Sequence, residues 1–566
     1  MIPQVARLYH PEGPDRVAVV SAQPSHNQEG HYLIHAARGP NRMHLTGGGA
    51  YGPYSEHELA ARFAEVVGAL KAEGFVESGL HDLLAKLHSV DPAQRASAAL
   101  RLGWMKAESA VAPLLKLSET AVDELCSVLD ALGRIGDARA IEVLRKQAAR
   151  KLLSRRRSAI EALRGVGDDA GLAEALQTTQ QRLPEPIRGA LDAPGTQSEN
   201  LLAALEQGET KRLGLHLDAI YEIGDPACVL AVRVKLSELS YAQPFVWRYV
   251  KSILKRSMLR GDDATFGLAA YQIENQSRFS KGTQAQVKSG HDGQVRNTPI
   301  FQRNTQLFVR RSTWRYLRQL AKHRPERYAL AAAEVLLFYC VADARDPKGA
   351  LGRFAACWML NQILHGASSR FVADNRRLLF RFRGSQYVKP PAGVREERFP
   401  ELWDAAPQAY LRLLQAANLP EVHQFAIRAI ERDHPDLLQS TKMVELLALL
   451  QAPHEGTVQL GLRELHRRFD PASPDWELLD RMMADDRPIV LELARRWLQD
   501  TAPLWSRDVD RAVRYLSASD AESRHLAVEL ALSHLRSFSD RGGWADRVLK
   551  ELRDPHAETL EGIARV

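Results

Sequence analysis

The chain has 566 residues, of which 45% are apolar, 7% aromatic and 26% charged, with a formal net charge of +7. That length is too great for one compact core, and four scattered cysteines (Cys126, Cys228, Cys340 and Cys357) exclude a disulfide framework or a cysteine-built metal cluster and point to a reducing compartment. No run of about 18 apolar residues occurs, and the opening MIPQVARLYHPEGPDR lacks a signal-peptide core, so the expectation is a soluble cytoplasmic protein with no membrane contact.

Residues 1–80 differ from the rest. Arg16–Pro24 and Gly30–Arg38 alternate as short strands, Leu45–Ser55 (LTGGGAYGPYS) reads as a glycine-rich turn, and Ser55 is placed to cap a helix from Glu56 to about Ala72 with Leu59, Phe63, Val66, Val67 and Leu70 at helical spacing. The prediction is a small α+β module.

From about 81 to 235 the same break recurs. Gly133-Arg134-Ile135-Gly136-Asp137, Gly165-Val166-Gly167-Asp168 and Ile223-Gly224-Asp225 each end an apolar helical stripe, at intervals of about 31 and about 57 residues. The glycines suit a left-handed helix end, and Asp137, Asp168 and Asp225 are placed to accept from the free N–H groups of the next helix. Leu125, Val128, Leu129 and Leu132 form one stripe, answered by Ile141, Val143 and Leu144 after the turn; Ile160, Leu163 and Val166 pair likewise with Leu172 and Leu176. The predicted fold is mainly α, an α-solenoid of stacked helix pairs. Such a stack offers a long surface rather than one catalytic cavity.

Residues 236–400 carry longer helices. Phe245–Lys251 (FVWRYVK) returns as Ser312–Arg318 (STWRYLR), and between the two a polar stretch near 275–305 reads as a long loop, mobile or ordered by a partner. Residues 401–566 resume repeats around Phe425-Ala426-Ile427, Leu460-Gly461-Leu462, Leu491-Glu492-Leu493 and Leu526-Ala527-Val528.

The charge is concentrated. Arg248–Arg327 holds about 17 Lys and Arg against about 5 Asp and Glu, so the remainder of the chain is net negative. Arg248, Lys251 and Lys255 lie at helical spacing, as do Arg311, Arg315, Arg318 and Lys322; Arg376, Arg377, Arg381 and Arg383 cluster further on, and Arg155, Arg156 and Arg157 open an earlier helix. Stripes of this kind on repeats form either a solvated outer face or a groove for nucleic acid or an acidic partner, in which case binding weakens steeply with salt. Trp247, Trp314 and Trp358 are expected to pack between helices rather than to stack on bases.

Chemistry is sparse. The glycines of Thr46–Gly52 lack the Lys-Ser/Thr of a nucleotide-binding loop, and no Gly-x-Ser-x-Gly elbow occurs. His31, His35 and His44 lack ligand spacing, while His323 sits at a helix end where its charge suits the dipole. The residues therefore call for no catalytic group, metal or cofactor, and a non-enzymatic protein is expected.

Resemblances add to this reading. The turn, the helix with Phe63 and the following Leu70-Lys71-Ala72-Glu73-Gly74-Phe75 resemble the end of a WGR domain, a nucleic-acid-binding module of poly(ADP-ribose) polymerases and bacterial regulators. The Trp-Gly-Arg signature is replaced by Thr46-Gly47-Gly48, so the family's DNA-contacting Trp and Arg have no counterpart. The repeat length and Leu-Gly-x-Ile-Gly-Asp turn resemble HEAT repeats of the short bacterial type. Val309–Leu320, with Tyr328-Ala329 and the apolar helix Ala331–Tyr339, is similar to bacterial HEAT-repeat proteins related to the molybdate metabolism regulator. That group implies a scaffold or adaptor working beside MoxR-type AAA ATPases, von Willebrand factor A proteins and SWIM zinc-finger proteins in stress response or antiviral defence, and implies no catalytic residues. Two other readings stand beside it: a DNA-modifying enzyme such as a HEAT-like alkylpurine DNA glycosylase, and an adaptor that binds proteins alone.

Overall fold

The computed structural model describes residues 5–9, 17–25, 31–39, 47–73, 75–150, 152–192, 197–208, 212–239, 246–275, 283–288, 295–301, 303–344, 353–385, 393–535 and 541–551. Two compact units result, Met1–Thr265 with Arg278–Gln302, and Phe266–Ser277 with Arg303–Val566. The divisions read from sequence at 235 and 400 fall inside these units.

The first unit opens on a five-stranded antiparallel sheet in the spatial order Gly47–Ser55, His31–Gly39, Val17–Pro24, Val5–Tyr9, Val76–Glu77. Alternation puts Ala18, Val20 and Ala22 with Ile34 and Ala36 on one buried face, covered by Leu59 and Leu70 of the helix Glu56–Ala72 and by Phe75. Ser55 and Glu58 form the capping box that starts this helix. The segment expected to be a glycine-rich turn is instead the edge strand Gly47–Ser55, paired from His31↔Ser55 to Arg38↔Gly47. A side chain at Gly48 would meet the Ala36 carbonyl at 2.0 Å, so glycine here permits close strand pairing rather than a bend.

Helix pairs follow. Gly136, Gly167 and Gly224 end their helices in the left-handed region at φ 80°, 74° and 77°, and the next residue's carboxylate accepts from the N–H of Arg139, Gly171 and Cys228 respectively. A fourth turn of this type, Gly261-Asp262, has φ 74° at the glycine and Asp262 Oδ1 accepting from Thr265 N at 3.1 Å. The helices Pro92–Trp104, Leu125–Ile135 and Leu153–Val166 lie side by side, and small residues set their approach: a Cβ on Gly133 would stand 2.5 Å from Ala162 Cα. The stripe residues Leu125, Val128, Leu129, Leu132, Ile160 and Leu163 are buried in one cluster.

The long loop expected near 275–305 is replaced, among the described residues, by an antiparallel strand pair, Thr283–Lys288 with Val295–Phe301. Polar residues at strand alternation carry little apolar signal, and backbone pairing supplies the structure instead.

In the second unit the helix Arg303–His323 pairs with Pro325–Leu336, and the four C-terminal repeat centres fall on the helices Pro420–Asp433, Glu455–Arg468, Pro488–Asp500 and Ala521–Leu535. Buried His423 links two of them, its ring bonding Thr457 Oγ1 at 2.9 Å and the Ala417 carbonyl at 2.8 Å. A short hairpin, Phe371–Asp374 with Leu379–Phe382, interrupts the helices. Among the described residues no helix is long and apolar enough to cross a membrane.

Candidate nucleic-acid interface

The helix Arg303–His323 (RNTQLFVRRSTWRYLRQLAKH) contains no carboxylate. Its inner face buries Val309, Thr313, Trp314, Tyr316, Leu317 and Leu320. Three- and four-residue spacing therefore leaves Phe308, Arg311, Arg315, Arg318 and Lys322 on the opposite side, all exposed, in a stripe about 21 Å long. Phe308 is 59% exposed, beside two guanidinium groups of its own helix.

The hairpin supplies the second half of the face. Asp374 Oδ1 accepts from the backbone N–H of Arg376 and Arg377, each at 3.0 Å, which tightens the turn. These bonds, Arg377's first, hold the Asp374 carboxyl below the usual carboxylate range. Leu378 closes the turn at φ 56° with its side chain buried, so Arg376, Arg377 and, on the returning strand, Arg381 are exposed. The hairpin is anchored by Phe380 against Trp358, ring centroids 5.4 Å apart, and by stacking of Phe371 on Phe382 at 4.8 Å.

Two consecutive arginines join helix to hairpin. Buried Arg310 donates through Nε to Glu274 Oε1 at 2.9 Å and through Nη2 to the carbonyls of Ala356 at 2.6 Å and Leu378 at 3.2 Å. Exposed Arg311 donates to the carbonyls of Asn375 at 3.2 Å and Arg376 at 3.0 Å. Arg311 thus joins the helix stripe of Arg315, Arg318 and Lys322 to the hairpin turn that carries Arg376 and Arg377, with Arg381 on the returning strand. Among the described residues no carboxylate lies within 4.0 Å of any of these seven cations.

Arg383, also of the second unit, donates through Nε to the Ser369 carbonyl at 3.0 Å, and the other candidates belong to the first unit. Arg248, Lys251 and Lys255 are exposed along one side of the helix Trp247–Arg260, but Lys255 ion-pairs with Asp130 at 2.9 Å and Arg248 lies over the Tyr249 ring at 5.0 Å. The run Arg155–Arg157 is no surface patch: Arg156 pairs with Glu222 at 3.2 Å, Arg157 pairs with Asp218, and Arg155 donates to the Val122 carbonyl at 3.2 Å. Part of the central positive surplus is likewise interior, since Arg256 and Arg260 are paired with Asp218 and Glu161. Trp247, Trp314 and Trp358 are all buried, as core packing requires. His31 and His35 stand on one strand, His323 ends the long helix, and His44 lies outside the described residues.

Two features of this face escaped the sequence reading. Phe308 is visible in retrospect as an aromatic at i, i+3 and i+7 with Arg311 and Arg315 on the polar side of its helix. The hairpin is signalled only by Asp374-Asn375 between two short apolar runs.

Residues 124–148 match the PBS lyase HEAT-like repeat family. No curated protein matches the chain. Among solved structures, an engineered protein is 14% identical over 86% of this chain and 98% of its own, with a TM-score of 0.18. A Kap121p mutant is 11% identical over 86% of this chain and 52% of its own, with a TM-score of 0.17. Scores this low carry no weight for fold or function. The matched repeat, together with the glycine–aspartate turns that bound its neighbours, identifies the fold as mainly α, a HEAT-like α-solenoid with a small α+β module at its N-terminus.

Proposed function

We propose that the chain is a non-enzymatic scaffold that holds protein partners along its helical repeats and binds nucleic acid on the basic face of its second unit. The observation that carries this reading is the face itself: a helix without carboxylates, an exposed aromatic in its stripe, and a hairpin turn presenting further arginines beside it. Cations that outnumber the one carboxylate beside them, Asp374, exchange condensed counterions for phosphates, and an exposed ring gives a base something to stack on. The repeats supply the scaffold, because stacked helix pairs expose long continuous surfaces.

In this reading the WGR-like N-terminal module is a second contact point. The partners belong to a bacterial stress or antiviral defence system driven by an AAA ATPase, and the protein works in the cytoplasm. These assignments rest on the resemblances of Val309–Leu320 and of the segment around Phe63 and Phe75.

The test is fluorescence anisotropy with labelled DNA and RNA oligonucleotides at low salt. The intact protein binds and the R315E/R318E/K322E variant does not. Failure to bind either nucleic acid overturns the reading in favour of a protein-only adaptor, and release of bases from alkylated DNA overturns the non-enzymatic part.

A further inference from the structure

Along the helix Arg303–His323, Arg311, Arg315, Arg318 and Lys322 succeed one another by four, three and four residues. At the rise of an α-helix these steps are about 6, 4.5 and 6 Å along the axis, and the four positions lie within about 60° of one another around it. Steps of that size match successive phosphates of one strand, so the stripe offers roughly one cation per phosphate. All four side chains are exposed, and none has to leave the interior to reach an anion.

Phe308 stands one turn before Arg311 on the same side of the helix. The apolar positions Val309, Leu317 and Leu320 are buried, whereas the Phe308 ring is 59% exposed. Leaving an aromatic ring in water forgoes the burial that its neighbours gain, and a ring within a line of cations is the arrangement that a nucleotide chain can cover.

The hairpin closes the aromatic end of the line. Arg311, the stripe residue nearest Phe308, donates to the carbonyls of Asn375 at 3.2 Å and Arg376 at 3.0 Å, which sets the turn and its exposed Arg376 and Arg377 at that end. The carboxylate beside them, Asp374, is engaged by the N–H groups of Arg376 and Arg377.

A duplex and a single strand meet this arrangement differently. In a duplex the bases are paired and stacked inside, so phosphates reach the cations while no base face reaches the ring. A single strand presents both at once, because each unpaired base has an open π-face.

Building on the nucleic-acid role assigned to this face, we propose that its ligand is a single strand of DNA or RNA. The strand lies along the helix with successive phosphates on Arg315, Arg318 and Lys322, continues towards Arg376 and Arg377, and stacks one base on Phe308. Arg311 is a positioning residue that holds the turn in place.

The test uses the full chain and fluorescence anisotropy with labelled oligothymidylate, oligouridylate and a duplex of equal length, about twelve nucleotides. At least one of the two single strands is expected to bind about tenfold or more tightly than the duplex, and the tighter of the two identifies DNA or RNA as the strand held. F308L keeps an apolar side chain without a π-face; it is expected to lose about fivefold or more towards that single strand and nothing towards the duplex, with recovery in F308W. Both variants are expected to keep the native Tm, since the ring is exposed. Duplex affinity equal to or above that of both single strands overturns the single-strand assignment and leaves nucleic-acid binding by the face standing. Failure of all three probes to bind removes the nucleic-acid role and the assignment together. An F308L loss that is absent, or equal for single strand and duplex, overturns the assignment as well.

Discussion

Arg310 and Glu274 form a buried ion pair, Nε to Oε1 at 2.9 Å, with side chains 9% and 1% exposed. The same carboxylate accepts from the backbone N–H of Trp358 at 2.8 Å and Met359 at 3.1 Å, at the start of their helix, and from the Tyr339 hydroxyl. Burial first, and the Glu274 charge second, hold that hydroxyl well above its ordinary range. Because Arg310 also reaches the Leu378 carbonyl, this one pair ties the hairpin to the underside of the basic helix.

Removing one partner strands the other in the interior. R310A is expected to cost about 3–5 kcal/mol, read as a lower urea midpoint of the second unit's transition. E274Q keeps an acceptor oxygen and should cost less. A loss below about 1 kcal/mol in R310A would show that the pair does not hold the hairpin.

Phe308 separates stacking from charge. F308A should weaken binding of single strands by about 1–3 kcal/mol while leaving duplex affinity and the salt dependence of binding unchanged. Measured by anisotropy, an equal loss for single and double strands would remove the stacking role. Stability should change by less than about 0.5 kcal/mol, since the ring is exposed.

His365 packs against Phe371 of the hairpin, ring centroids 4.9 Å apart, with Nδ1 3.9 Å from Glu396. Burial pushes its imidazole down to about 4 despite that carboxylate, with Arg370 and Arg428 adding to the effect. The unfolded chain titrates near about 6.5, so the folded state binds fewer protons between these values. Its contribution is complete above about pH 6.5 and is lost as pH falls towards 4, by up to about 3 kcal/mol. Denaturant titrations across this window should show the slope in the native protein and its loss in H365Q.

The stack of the first unit depends on Gly133. G133A places a methyl against the Ala162 backbone, which has no flexible end to move, and should cost about 1–3 kcal/mol or more in thermal unfolding. G167A meets no atom within 4 Å and bears only the strain of its left-handed backbone, about 1–2 kcal/mol. A G133A protein as stable as the native one would refute the close helix approach.

What the sequence discloses is what is local. The turns at Gly136, Gly167 and Gly224 are legible because a left-handed end and an aspartate cap need only adjacent residues, and Ser55 with Glu58 likewise announces its helix. The exposed stripe from Arg311 to Lys322 follows from helical period alone. Arg156, Arg256 and Arg310 are not legible as interior groups, because Glu222, Asp218 and Glu274 lie far from them in the chain, and a charge count assigns all three to the surface. The Gly47–Ser55 strand is hidden for a similar reason: glycine's weak local preference yields to pairing with His31–Gly39. Leu378 has φ 56°, and its carbonyl accepts from Arg310, a residue remote in sequence.

The central claim is that the basic face of the second unit meets a polyanion through uncompensated charge. Its most direct test is the slope of log affinity against log salt for an oligonucleotide, compared between the native chain and R315A/R318A/K322A. Three lost phosphate contacts should flatten the slope by about 2 to 3 with folding intact. Equal slopes in the two proteins would place the binding elsewhere and contradict the account.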